Sequence, residues 1–249
     1  MKQQEKSRRI RERLELTLPV QVRCRESLTH EWTEMSRLVD VSPFGARLRL
    51  SRPTEPGRLL HLRMAMPRRL RCFDHVEDQY RVWSLVRNVK LLPPSKQVKA
   101  LMEVGVAFAG KRPPASFEKD PAQRYAVKEV TSEAGLWTVR EDASEELVEI
   151  ADTERRHETR HTIPVEVSIE VFGASGDLLA GEKTVTENIS RWGASVFTTM
   201  DIERGRFVKL TSEHLHVSAV AAVRARRTGS DGVPHLHLEF VGAEWPLET

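Results

Sequence analysis

One pattern occurs twice in this chain, and its spacing decides what the chain can fold into. Arg9-Ile10-Arg11-Glu12-Arg13 runs into Leu18-Pro19-Val20-Gln21-Val22-Arg23-Cys24. Arg156-His157-Glu158-Thr159-Arg160 likewise runs into Ile163-Pro164-Val165-Glu166-Val167-Ser168-Ile169. Further on, Asp40-Val41-Ser42-Pro43-Phe44-Gly45-Ala46 recurs as Asn188-Ile189-Ser190-Arg191-Trp192-Gly193-Ala194, and Gly57-Arg58-Leu59-Leu60-His61-Leu62 as Gly205-Arg206-Phe207-Val208-Lys209-Leu210. The offset is 147 from Arg9 to Arg156 and 148 from Asp40 to Asn188. A period this long describes two whole domains, because solenoid repeats are only about 20–45 residues long. A chain of 249 residues is long enough for each copy to bury its own core.

The patterning inside each copy is that of strands. Leu18, Val20, Val22 and Cys24 share one face, and Ala46, Leu48 and Leu50 share another with Arg47 and Arg49 pointing away. Ile163, Val165, Val167, Ile169 and Val171 alternate with polar neighbours up to the turn signal Gly173-Ala174-Ser175-Gly176-Asp177. Segments 101–108 and 235–240 supply a closing strand in each copy. Alternation with period two, interrupted by Gly, Pro or Asp, predicts an all-β protein of two small antiparallel barrels. Between the copies Lys111-Arg112-Pro113-Pro114 ends the first, and Glu141, Asp142, Glu145, Glu146, Glu149, Asp152 and Glu154 crowd the approach to the second. Leu147, Val148, Ile150 and Ala151 have helical spacing there, so a linker and a short docking helix both fit. The expected division is 1–112, an acidic linker over 113–153 that is part helical, and 154–249.

Charge separates the copies further. Residues 1–110 carry 22 basic and 12 acidic side chains, residues 111–154 carry 6 and 11, and residues 155–249 carry 11 and 13. A basic first third suits an anionic partner and equally suits a solvated Arg-rich surface. No apolar run reaches the roughly 18 residues of a membrane span, and no apolar stretch follows the charged N-terminus. Cys24 and Cys72 are the two cysteines, 48 apart, which suits a reducing compartment. A cytoplasmic protein is the expectation, with the cysteines as small core residues or idle thiols.

At these residues the chain resembles the PilZ domain family, twice over. The family pattern is RxxxR followed by [DN]xSxxG. Here it is met by Arg9 and Arg13 with Asp40, Ser42 and Gly45, and by Arg156 and Arg160 with Asn188, Ser190 and Gly193. The resemblance implies six-stranded barrels that bind the bacterial second messenger cyclic di-GMP. In the family-like pose the arginine loop lies over the barrel and the second motif on its outer surface. Asp40 or Asn188 and Ser42 or Ser190 then meet guanine, and Gly45 or Gly193 allows close approach of backbone. Arg8 and Arg155 precede each pair, where a third arginine in relatives can stack on a second messenger molecule.

The residue types suit such a ligand on physical grounds. Two phosphodiesters and two guanines call for cationic forks and for groups that pair with a base edge. Arginine supplies five fixed donors and a flat stacking face. Two charge-assisted arginine contacts and one base-edge cluster reach about 8 kcal/mol, which is micromolar binding.

The first copy has Arg11 inside its arginine pair, so another register is open. Asn188 keeps an acceptor but drops the charge of Asp40. Some family members have lost ligand binding, so one copy can be silent. The expected function is a cyclic di-GMP-binding signalling protein that relays occupancy by conformational change, with a protein partner. The alternative is a ligand-blind adaptor whose basic first domain contacts protein or nucleic acid, the latter being the less expected partner.

Other motifs point elsewhere only weakly. His214-Leu215-His216 and His235-Leu236-His237 place imidazoles two apart, a spacing that can chelate a metal, but they read as surface histidines on strands. Phe44 and Trp192 read as packing on the barrels. No phosphate loop, nucleophile elbow or paired-carboxylate arrangement is present, so neither catalysis, cofactor nor metal is expected.

Overall fold

Alternation in each copy closes into a barrel. The computed structural model describes residues 14–93, 101–128, 137–140, 160–229 and 232–247. The first copy forms β1 (Pro19–Arg25), β2 (Glu31–Ser42), β3 (Gly45–Leu50), β4 (Leu59–Met64), β5 (Tyr80–Leu91) and β6 (Met102–Gly110). A helical turn α1 (Ser116–Lys119) and a hairpin of β7 (Ala126–Lys128) and β8 (Thr138–Arg140) follow. The second copy forms β9 (Glu166–Phe172), β10 (Leu178–Ser190), β11 (Gly193–Phe197), β12 (Phe207–Ser212), β13 (Val217–Thr228) and β14 (Pro234–Phe240). The strands close in the cyclic orders β1-β2-β3-β6-β5-β4 and β9-β10-β11-β14-β13-β12, every neighbouring pair antiparallel. The two barrels therefore share one topology, as the repeat requires.

Each interior is filled by the residues the alternation singled out. Val20, Val22, Cys24, Ala46, Leu48 and Leu50 are buried in the first core, and Val167, Ile169 and Val171 in the second. The second strand run starts later than its sequence alternation, since Ile163 is exposed and β9 begins at Glu166. Closure removes free sheet edges, which is how a sheet this small avoids pairing with other chains. Among the described residues no helix is long and apolar enough to cross a membrane.

The segment after the first barrel is only partly a connection. Phe117 and Tyr125 are fully covered and pack on Leu59 and Leu85, outward residues of β4 and β5, with Trp83, Val127 and Val139 around them. Tyr125 also donates its backbone N–H to Gly57 at 2.8 Å. The acidic run with Leu147, Val148, Ile150 and Ala151, whose spacing fits a linker or a short docking helix, lies outside the described residues.

The barrels meet through charge. Glu55, 2% exposed, accepts from Arg58 at 3.0 Å and from Arg224 of the second barrel at 2.9 Å. Arg58, 1% exposed, donates to the carbonyls of Pro121 and Gly205 and lies over the Phe207 ring. Glu26 accepts from Trp32 at 2.8 Å and from Arg206 and the Phe207 N–H of the other barrel. Arg52 caps the carbonyls of Gly173 and Ala174. The repeated Gly-Arg motif, Gly57-Arg58 and Gly205-Arg206, thus ends at this junction, both glycines with φ near +90°.

Candidate functional site

In both copies the residue that follows RxxxR is stitched by backbone to the middle of the second motif, far away in sequence. Leu14, the residue after Arg13, exchanges two hydrogen bonds with Val41 at 2.9 and 3.0 Å. His161, the residue after Arg160, does the same with Ile189 at the same distances. The segment that follows each RxxxR is therefore fastened beside the middle of [DN]xSxxG. Arg8, Arg9, Arg13, Arg155 and Arg156 lie outside the described residues. Arg160 is described and exposed, and its Nη1 donates to Asn188 Oδ1 at 3.4 Å.

The second motif is a tight hairpin whose polar residues have structural tasks of their own. Ser42 Oγ accepts from the Phe44 N–H and donates to the Gly45 carbonyl, and Ser190 repeats this with Trp192 and Gly193. These are the side-chain turns that make serine a turn residue. Gly45 and Gly193 are paired with the next strand so closely that a Cβ would collide with the carbonyl oxygens of Val106 and Leu238. Close approach does explain these glycines, but in this structure the approaching backbone is the barrel's own. Phe44 and Trp192 are half-buried, and their carbonyls accept from Phe108 and Phe240.

A β-bulge precedes each motif serine. Pairing passes from Leu38 to Asp40 and from Thr186 to Asn188 while the partner strand advances one residue, so Val39 and Glu187 are the extra residues. Across the outer surface the registers then give Asp40, Arg47, Gly105 in the first barrel and Asn188, Ser195, His237 in the second.

Those rows differ in chemistry. Asp40, 5% exposed, is held by Arg47 at 2.6 and 2.8 Å, and Arg47 reaches on to Glu103 at 3.0 Å. Burial opposes the charge on Arg47, but Asp40 and Glu103 outweigh it and hold the guanidinium more firmly protonated than usual. The second barrel has no arginine in that row. Burial first, then Arg227 and Arg160, lowers the His237 pKa, with Glu187 opposing.

Two sequence expectations are corrected here. His214 and His216 do not share a strand face; they lie in the turn between β12 and β13, with His216 at φ 52°. His235 does point out of the barrel from β14, yet it is covered to 6% exposure, tilted against the Phe197 ring at 4.7 Å and set 3.1 Å from Glu187. No cluster of three or more metal-ligating side chains occurs among the described residues. Sequence reasoning did not bring Arg47, His235 and His237 to the motifs and missed Glu187 altogether, because only strand register shows which residues flank Asp40 and Asn188. A signal was available in Glu187, a charged residue just before the motif where the first copy has Val39.

Comparison with known proteins places the second barrel. Residues 154–244 match the PilZ domain family. No curated protein matches the sequence significantly. Among solved structures, the chain is similar to the Bacillus subtilis inhibitor of motility MotI/DgrA at 14% identity, covering 92% of this chain and 90% of that one, with a TM-score of 0.29. It is similar to the Borreliella burgdorferi PlzA protein, solved in complex with c-di-GMP, at 11% identity over 94% and 89% of the chains, TM-score 0.30. The Escherichia coli YcgR–c-di-GMP complex is a third, at 8% identity over 90% and 76%, TM-score 0.28. The site geometry stands without these three likenesses. The stretch that matches the PilZ domain family, residues 154–244, contains the whole second six-stranded barrel and its [DN]xSxxG hairpin.

Proposed function

We propose that this protein is a cytoplasmic cyclic di-GMP receptor built from two PilZ domains, with no catalytic role, which passes occupancy to a protein partner through the junction between its barrels. The observation that carries the reading is the backbone stitch from the residue after each RxxxR to the second motif, Leu14 to Val41 and His161 to Ile189. It brings Arg160 to Asn188, so a cation for phosphate and a polar group for a base edge sit side by side. The family match over residues 154–244 supports the same reading, as does the c-di-GMP held by PlzA and YcgR. Site residues proposed for ligand are Arg8, Arg9, Arg13, Asp40, Ser42 and Gly45 in the first copy. In the second they are Arg155, Arg156, Arg160, Asn188, Ser190 and Gly193.

A route for the relay runs from the motif to the junction. Gly193 pairs with Glu239 on β14, and Glu239 accepts from Arg224 at 2.7 Å, which also holds Glu55 of the first barrel. A shift of the β10–β11 hairpin on binding would be felt along this chain of charges.

The test is calorimetric titration with cyclic di-GMP of the intact protein, of Arg9→Ala/Arg13→Ala and of Arg156→Ala/Arg160→Ala. Micromolar binding that falls at least tenfold in the second double variant is expected. No heat with the intact protein would sink the messenger reading, and equal binding in both double variants would place the site elsewhere. One observation favours a different role for the first barrel: Asp40 is buried and already engaged by Arg47. On that reading the first copy is a ligand-blind adaptor, and strong salt-dependent binding to duplex DNA without messenger would support it.

A further inference from the structure

We infer that Glu187 is a guanine-reading residue of the second barrel, supplying from the bulge the carboxylate that Asn188 lacks. The inference rests on the receptor reading above and deepens it. Guanine presents two adjacent donors, N1–H and N2–H₂, and an ionised carboxylate accepts both at once in a bidentate, charge-assisted pair. A side-chain amide cannot do this, because its NH₂ would face one of those donors. At the motif position the first copy has an aspartate and the second an asparagine.

The second barrel makes good this loss one residue earlier. On an unbroken strand neighbouring side chains point to opposite faces, and residue 187 would turn away from residue 188. The register shift between Thr186 and Asn188 abolishes that alternation. As a result Glu187 Oε2 lies 3.4 Å from Asn188 Nδ2, on the surface that also holds Arg160. In the first copy the equivalent bulge residue is Val39, where Asp40 already carries the charge.

Glu187 is also prepared for the task. The Ser195 hydroxyl beside it favours its ionised form against the burial that opposes it, and His235 adds to the same side. His235 fixes the carboxylate at 3.1 Å and is itself held against the Phe197 ring, so the acceptor is oriented before a base arrives. Glu187 remains 42% exposed, which leaves it open to a ligand. His235 is a positioning residue in this account.

The experiment titrates the full-length chain with cyclic di-GMP, with its inosine analogue, which lacks the N2 amino group, and with cyclic di-AMP. Wild type is compared with Arg9→Ala/Arg13→Ala, and that background with the same chain also carrying Glu187→Gln, Glu187→Ala, or Glu187→Gln with Asn188→Asp. Circular dichroism melts confirm that each variant is folded. Glu187→Gln should weaken cyclic di-GMP at least tenfold and narrow its advantage over the inosine analogue, while Asn188→Asp should restore most of both. Binding by the background that Glu187→Gln leaves within twofold overturns the assignment, as does loss of all binding in the background when wild type binds. Failure of the wild-type chain to bind cyclic di-GMP at all would overturn the receptor reading itself.

Discussion

At Gly45 and Gly193 a motif residue serves the fold before it serves any ligand. Each lies under a carbonyl oxygen of the neighbouring strand, and even one methyl group has no room. Gly193→Ala should therefore cost about 2–3 kcal/mol of stability, as overpacking at a rigid backbone contact does. A denaturant melt will show it as a lower midpoint with an unchanged slope. Weaker messenger binding in that variant would then reflect a displaced hairpin, whereas loss at Arg160 with an unchanged melt would be loss of a contact. The cysteines divide in the same way. Cys24 points into the first core, and burial pushes its thiol up to about 12. Native protein should leave Cys24 unmodified by a thiol reagent at pH 8, and reaction should appear only with unfolding. Rapid native-state labelling at Cys24 would contradict the packing described.

Strands were the most legible elements, because a buried face with period two writes itself directly into sequence. Val20, Val22 and Cys24 could be assigned inward from their spacing alone, and so could Ala46, Leu48 and Leu50. Elements without a period were not legible. The segment from Ser116 to Tyr125 has too few apolar residues to announce itself, yet Phe117 and Tyr125 are as buried as any core residue. It covers outward-facing apolar residues of β4 and β5, which an isolated barrel would leave in water. Phe117→Ala should destabilise the first barrel by about 3–5 kcal/mol, read by thermal unfolding. An effect under 1 kcal/mol would mean that the segment is not part of that barrel. The bulges escaped sequence reading for a related reason: one added residue shifts the alternation and looks like noise until the partner strand is seen.

For the whole molecule the decisive feature is the buried charge at the junction. Glu55 has its carboxyl held down to about 2, because Arg224, then Arg58 and Arg124, outweigh the burial that would raise it. A carboxyl depressed from its ordinary 4.5 gives stability that is present above pH 4.5 and lost as pH falls toward 2. Glu26 has the opposite sign: burial raises it against the pull of Arg206, so its contribution fades as pH rises through the raised value. Glu55→Gln should therefore flatten the acid limb of the stability profile between pH 4.5 and 2, measured by urea unfolding across that range. Glu55→Ala, which leaves Arg58 and Arg224 without their carboxylate, should cost about 3–5 kcal/mol. An unchanged acid limb in Glu55→Gln would remove this pair from the account. In solution scattering, Arg224→Met should loosen the barrel–barrel arrangement with each barrel still folded. No change there would detach Arg224 from the relay.

The sequence by itself determined that there are two repeated copies, that each forms an antiparallel barrel, and that RxxxR and [DN]xSxxG recur in the same order in both. These follow from periodicity and repetition, which are local or countable. The charge on each copy was countable too, but not its use: Arg58 and Arg224 look like surface arginines until Arg58 is found buried, and Arg224 half-buried, against Glu55. Only the tertiary structure decided that Arg47 occupies Asp40, that Glu187 stands beside Asn188, and that the Gly-Arg repeat closes the junction. Those relations depend on strand register and on which surfaces meet. Hydrogen bonds between residues far apart in the chain set both, and no residue's immediate neighbours reveal them.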